Sequence, residues 1–223
     1  EMAALEQCYE SVDYVSLHHY HTAPEGDIAN YLNASSVFED YIRTTIATCD
    51  YLQSKIRTPK KMYISFDEYG VMFGQQGEVL FGRRGWQDVS KDYSQFRPRE
   101  NTFRKTDPTG SGMNMRRRPR MSQMLSALAT ASIILTFLRY ADRIKIGCMT
   151  GGINSAVAFD REKTWRNASY YPYAQLNKLS RGAVSLMPAI DSPTYNTEQY
   201  ALTGSCQCYA YEDVQSIESA VVH

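Results

Sequence analysis

The order of the hydrophobic segments constrains this 223-residue chain most. It reads strand, helix, strand, helix, strand, helix. Val12 to His18 is short, rich in β-branched and aromatic residues, and ends in a polar cluster, which predicts a strand. His19 to Gly26 reads as the loop that follows. From Ile28 to about Ile56, apolar residues recur at three- and four-residue spacings, Asp27 can cap the start, and Asn33 to Ser36 marks a possible break. Pro59 closes that region, and Met62 to Phe66 predicts the second strand. Ser122 to Tyr140 predicts the next helix, Arg143 to Met149 a third strand, and Trp165 to Leu179 a third helix. Pro172 must distort that last helix unless it begins a new segment. Crossovers of this length join parallel strands, so the segments belong to one parallel sheet. A complete β/α barrel needs eight such units and about 250 residues, and about three are present. A doubly wound sheet fits the same pattern, but no Gly-rich phosphate turn follows any strand.

The second strand runs into two acids, Asp67 and Glu68. In a β/α barrel, side chains at the C-terminal ends of strands form the active site. A carboxylate there can serve as nucleophile or proton carrier, and Glu68 is the leading candidate. Such a group usually works with a second carboxylate. Asp67 is its neighbour in a strand and should point the other way. Asp160 and Glu162 lie after the third strand, in a charged, surface-like stretch. His18, His19 and His21 invite a metal reading, but alternation along a strand sends His18 and His19 apart, so no metal or other cofactor is assigned. Trp165 reads as core or pocket wall, and Arg143 and Lys145 as ion-pair residues.

Lys and Arg together number 24, as do Asp and Glu, so net charge offers no general case for nucleic acid or membrane as a partner. The charge is uneven. Residues 75–120 carry eleven Lys/Arg against five Asp/Glu, including Arg116, Arg117, Arg118 and Arg120. This long basic insertion leaves a polyanion-binding reading open. Cys206 and Cys208 are spaced wrongly for a zinc or redox pair. The five cysteines show no evident disulfide framework, which favours a cytoplasmic setting. No stretch reaches the 18 to 20 apolar residues of a spanning helix. Position 1 is Glu rather than Met, so a processed chain or a piece of a longer one is expected. After Arg181 the pattern changes to short strand-like segments, with Val184 to Ile190 the clearest.

Asp13 to Tyr20 and Ile64 to Tyr69 resemble two successive barrel strands of the family 51 glycoside hydrolases, the α-L-arabinofuranosidases. The resemblance continues through Leu138 to Ile146, Trp165-Arg166, Tyr170 to Tyr173 and Ser192 to Tyr195. It implies strands six, seven and eight of a (β/α)8 TIM barrel in residues 1–183, interrupted by the insertion at 75–120. Residues 184–223 would then begin a C-terminal β-sandwich domain. By the same resemblance Glu68 matches the catalytic nucleophile, His18 and Tyr20 match active-site residues one strand earlier, and Asn154 matches a common asparagine after strand eight. The implied activity is retaining removal of terminal α-L-arabinofuranosyl residues from arabinan, arabinoxylan or their oligosaccharides, without metal or organic cofactor. A homo-oligomer is possible in the full-length protein. The family's acid/base glutamate lies on strand four, which has no counterpart here, so this chain alone is expected to be inactive. The alternative is a non-catalytic carbohydrate-binding homologue. Departures from the family pattern are Tyr69-Gly70-Val71-Met72, where Trp-Asn-Val-Trp is usual, and Gly151, where a glutamine is common.

Overall fold

A computed structural model describes residues 2–23, 27–73, 122–150, 156–159, 164–198 and 210–223. The order of elements is α1 (Met2–Cys8), a 3-10 turn (Tyr9–Ser11), β1 (Tyr14–Ala23), α2 (Ile28–Leu32), α3 (Ala34–Ile56), β2 (Tyr63–Phe73), α4 (Ser122–Arg139), β3 (Ile144–Met149), β4 (Val157–Phe159), β5 (Thr164–Arg166), α5 (Tyr170–Ser180), β6 (Ser185–Leu186), β7 (Thr194–Tyr195), β8 (Val214–Gln215) and β9 (Val221–Val222). β1, β2 and β3 form one sheet in that order, parallel throughout. The fold is therefore mixed α/β around a parallel sheet segment, and no closed barrel exists among the described residues. Neither β1 nor β3 has a strand on its outer edge among them.

The helices cover one face of the sheet, because alternate strand residues on that side are apolar or aromatic. Leu17, Ile64, Phe66, Tyr69, Val71 and Ile144 pack there against Tyr31, Phe38 and Ile42 from α2 and α3, and against Ala129, Ile133 and Phe137 from α4. Phe137 is the aromatic centre. Its ring stacks on Phe66 at 4.8 Å and meets Tyr69 edge-on at 5.1 Å and Phe38 at 5.8 Å. Each buried ring contributes about 1.5–3 kcal/mol through lost water contact, and each pair about 0.5–1.5 kcal/mol more. The opposite face is open: Tyr14 and Ile146 are exposed large hydrophobic residues, and Ser16 and His18 are exposed beside them.

Several expectations need correction. β1 continues through His19 to Ala23, where a loop was expected, because these residues pair in register with Tyr69 to Phe73. For the same reason β2 continues five residues past Glu68, so that residue lies inside a strand rather than at its end. Trp165 sits in β5, paired antiparallel with β4, and the following helix begins only at Tyr170. Pro172 then falls in the first helical turn, where backbone N–H groups have no helical acceptor and proline costs nothing. Within Val184 to Ile190 only the first three residues pair: Val184 exchanges backbone hydrogen bonds with His223, and Ser185 and Leu186 lie opposite Val222 and Val221. The expected break at Asn33 is present, separating α2 from α3, and Asp27 caps α2 by accepting from the Asn30 N–H at 2.9 Å. The basic insertion at 75–120 and Cys206 and Cys208 lie outside the described residues.

The short terminal strands pair as β6 with β9 and β7 with β8. They rest on the helices through side-chain bonds. Arg139 of α4, almost fully buried, donates to Glu218 at 2.9 Å and to the Ser219 carbonyl at 3.1 Å, and its other nitrogen lies 3.6 Å from Glu39 of α3. Glu218 also accepts from the Ser35 hydroxyl, and Tyr211 donates to Asp40 at 2.8 Å. Arg143 pairs with Asp50 at 2.8 Å, as its ion-pair reading required, whereas Lys145 sits over the Tyr63 ring at 5.3 Å.

Candidate active site

β1 and β2 bring the candidate residues together on the open face of the sheet. His18 and Glu68 are register partners, and Tyr20 is the partner of Gly70. The side chains of His18 and Glu68 are both about half exposed. The Tyr20 phenol reaches across and donates to Glu68 Oε2 at 2.8 Å. Thr150 Oγ1, just past β3, lies 2.9 Å from the same phenol oxygen. A phenol has one proton and an ionised carboxylate can only accept, so Thr150 is the donor in the second bond. Burial raises the Tyr20 phenol above its ordinary pKa, the Thr150 bond opposes this, and Glu68 raises it further. Tyr20 therefore stays protonated and remains a donor to Glu68 at neutral pH.

Gly70 makes that reach possible. A Cβ built there would sit 3.3 Å from Tyr20 Cδ1 and 3.5 Å from Cε1. The absent side chain leaves space for the aromatic ring to lie against β2, which is a packing requirement rather than one of backbone conformation.

His18 Nδ1 lies 3.6 Å from Glu68 Oε2, and its Nε2 lies 3.4 Å from Asp67 Oδ2. Asp67 also accepts from the Ser16 hydroxyl at 2.8 Å. This overturns the expectation that Asp67 turns away from Glu68. The reason is a register shift. Ser16 pairs with Ser65, but His18 pairs with Glu68, so β2 spends three residues where β1 spends two. Such a bulge is rare between parallel strands, and it re-aims side chains beside sites. Both carboxylates consequently meet the same imidazole. The Ser16 bond is the largest influence holding the Asp67 carboxyl below its usual range, and His18 acts in the same direction.

His19 and His21 take the other face. His19 meets Phe38 edge-on at 4.9 Å, and buried His21 bonds to the Asn30 carbonyl at 3.0 Å. Burial is the main cause that lowers both rings to about 4, and the two cannot join His18 in a ligand set. Among the described residues, no three His, Cys, Asp or Glu side chains are placed to hold a metal ion. No described helix is long and apolar enough to cross a membrane. Asn154, Asp160 and Glu162 lie outside the described residues. Ser16 and Thr150 escaped the sequence reading. Thr150's place directly after a strand, and Ser16's place two residues before His18 on the same strand face, were the available signals.

The molecule has clear relatives. A family model described as the alpha-L-arabinofuranosidase C-terminal domain matches residues 67–221. An intracellular exo-alpha-(1->5)-L-arabinofuranosidase of Acetivibrio thermocellus is 30% identical over 232 residues, aligning with 100% of this chain and 38% of its own length. The enzyme of that name from Halalkalibacterium halodurans is also 30% identical, again over 100% of this chain and 38% of its own. This chain thus spans less than half the length of these curated relatives. Among solved structures, a family 51 alpha-L-arabinofuranosidase from Bifidobacterium longum superposes with a TM-score of 0.70 at 21% identity, over 98% of this chain and 40% of that one. A Thermotoga maritima alpha-L-arabinofuranosidase in complex with arabinose gives 0.62 at 11% identity, over 96% and 36%. At these identities the superpositions speak for the fold, and the family match and relatives speak for descent: the chain belongs to the family 51 α-L-arabinofuranosidases.

Proposed function

We propose that the full protein carrying this chain is a retaining glycoside hydrolase that removes terminal α-L-arabinofuranosyl residues, with Glu68 as nucleophile. The names of the relatives favour the non-reducing ends of (1→5)-linked arabinan and its oligosaccharides, with arabinoxylan side chains as a related substrate. The observation that carries this reading is the Tyr20–Glu68 hydrogen bond at 2.8 Å on the open face of a parallel sheet. A phenol donor on one oxygen fixes the orientation of the carboxylate, and attack on an anomeric carbon requires an oriented nucleophile.

In this reading β1, β2 and β3 are strands six, seven and eight of a (β/α)8 barrel, and residues 184–223 open a β-sandwich domain. Among the described residues no strand lies on the outer edge of β1 or β3, which supports it, because the remaining strands would pair there. A retaining pair of carboxyl groups stands about 5 to 5.5 Å apart, one attacking and one protonating the leaving oxygen. The acid would come from strand four, beyond this chain, and Asp67 is already engaged by Ser16 and His18. His18 would hold a sugar hydroxyl or brace Glu68, and Asn154 would contribute to sugar binding. The present residues alone would lack proton delivery and one wall of the sugar site, and would be inactive on natural oligosaccharides.

The test is Glu68→Gln in the full protein, assayed on an arabino-oligosaccharide and on 4-nitrophenyl α-L-arabinofuranoside. The variant should fold normally and lose nearly all turnover on both. Undiminished turnover removes Glu68 from the mechanism.

A further inference from the structure

The bulge in β2 places a second carboxylate against His18, and the sugar chemistry proposed above makes no use of it. We propose that Asp67 is a positioning residue, holding the Nε2–H form of His18 so that the Nδ1 edge is turned to the nucleophile. This rests on Glu68 being that nucleophile.

The geometry forms a line across the two strands. Ser16 Oγ donates to Asp67 Oδ1 at 2.8 Å, Asp67 Oδ2 faces His18 Nε2 at 3.4 Å, and His18 Nδ1 faces Glu68 Oε2 at 3.6 Å. Ser16 has one proton to give and spends it on Asp67, which fixes the carboxylate's orientation. The second oxygen of Asp67 is then aimed at the ring. An ionised carboxylate can only accept, so both ring nitrogens face an acceptor. Glu68 Oε2 already accepts from Tyr20 at 2.8 Å, whereas Asp67 Oδ2 has no other donor among these contacts and lies nearer the ring, which places a single ring proton on Nε2. The titratable groups facing His18 are Asp67 and Glu68 of β2, and Glu68 in turn is held by Tyr20. Without Asp67 the imidazole has a single anionic neighbour, Glu68, and its Nε2 proton has no acceptor among these contacts. The ring is then free to turn or to change tautomer beside the nucleophile.

The register shift is what makes the arrangement specific. Had β2 kept step with β1, His18 would pair with Asp67, and alternation from the core residue Phe66 would have sent Glu68 to the helix-covered face, where a carboxylate is costly. The bulge instead spends one residue of β2 to bring two acids to one histidine.

The test uses the full protein with 15N-labelled histidine and the variants Asp67→Ala, Asp67→Asn and Ser16→Ala. Ring 15N shifts at neutral pH should show His18 protonated at Nε2 in the parent protein. Asp67→Ala should lose that preference, whereas Asp67→Asn, which keeps an acceptor oxygen, should retain most of it. On 4-nitrophenyl α-L-arabinofuranoside, Asp67→Ala should lower kcat about tenfold with KM little changed, since Asp67 acts through His18 rather than on the sugar. Ser16→Ala should lower kcat less, and combining it with Asp67→Ala should add nothing further. An unprotonated Nε2 in the parent protein, or unaltered ring shifts in Asp67→Ala, overturns the proposal. So does a raised KM with constant kcat, which would make Asp67 a sugar contact. A parent protein inactive on arabinofuranosides but showing the Nε2–H form and its loss in Asp67→Ala sinks the assigned activity and leaves the positioning of His18 standing.

Discussion

Replacing Tyr20 by Phe removes one oxygen atom and leaves the ring that lies against Gly70. The lost contact is a 2.8 Å hydrogen bond from a phenol to a carboxylate, and bonds to charged groups contribute about 1.5–3 kcal/mol. At about 1.4 kcal/mol per factor of ten, that is roughly ten- to a hundredfold in rate if the bond matters fully in one step. The two steps of a retaining mechanism use the bond in opposite ways. During attack Glu68 loses charge, and a donor on its oxygen holds the nucleophile back even as it orients it. During release of the sugar Glu68 regains its charge as a leaving group, and the same donor assists departure. The second step therefore suffers most in Tyr20→Phe. With 4-nitrophenyl α-L-arabinofuranoside, whose good leaving group makes the first step easy, kcat and KM should fall together by ten- to a hundredfold. kcat/KM should change little, and a pre-steady-state burst of nitrophenol should appear as the glycosyl-enzyme accumulates. A fall in kcat/KM equal to the fall in kcat, without a burst, would refute this reasoning and make Tyr20 a participant in attack.

Gly70→Ala should push the Tyr20 ring by a few tenths of an ångström and cause a similar but smaller loss; in a Tyr20→Phe background it should cause little more, which a double-mutant cycle will measure. Phe137→Ala should destabilise the fold by about 3–5 kcal/mol, because Phe66, Tyr69 and Phe38 all lose a partner ring, and urea unfolding will read the change. Removing the Arg139 guanidinium as Arg139→Met should loosen residues 217–223 from α3 and α4, visible as faster amide exchange in that segment with the sheet unaffected. His21 is buried neutral with its pKa lowered to about 4, below the ordinary 6.5, so the unfolded chain binds a proton first as pH falls. Stability should therefore be full above pH 6.5 and decline by about 3 kcal/mol toward pH 4 from this residue, and a pH-independent unfolding midpoint in that window would rule out the neutral burial of His21.

The succession of β1, α3, β2, α4 and β3 and the parallel sense of the sheet were legible in the residues, because both follow from hydrophobic period and crossover length; the β4–β5 pair before α5 was not. So were the break at Asn33, the Asp27 cap and the ion pair of Arg143. Glu68, His18 and Tyr20 could be named from their strands and from the family resemblance, and alternation alone separated His18 from His19. Strand ends were not legible: His19 to Ala23 and Tyr69 to Phe73 hold each other extended, and neither segment declares that by itself. Trp165 belongs to a strand only because Ala158 lies opposite it. That Asp67 and Glu68 share one face was beyond any local pattern. One additional residue in β2 relative to β1 decides which way a carboxylate points, and register is a property of two strands together, recorded in neither sequence segment alone.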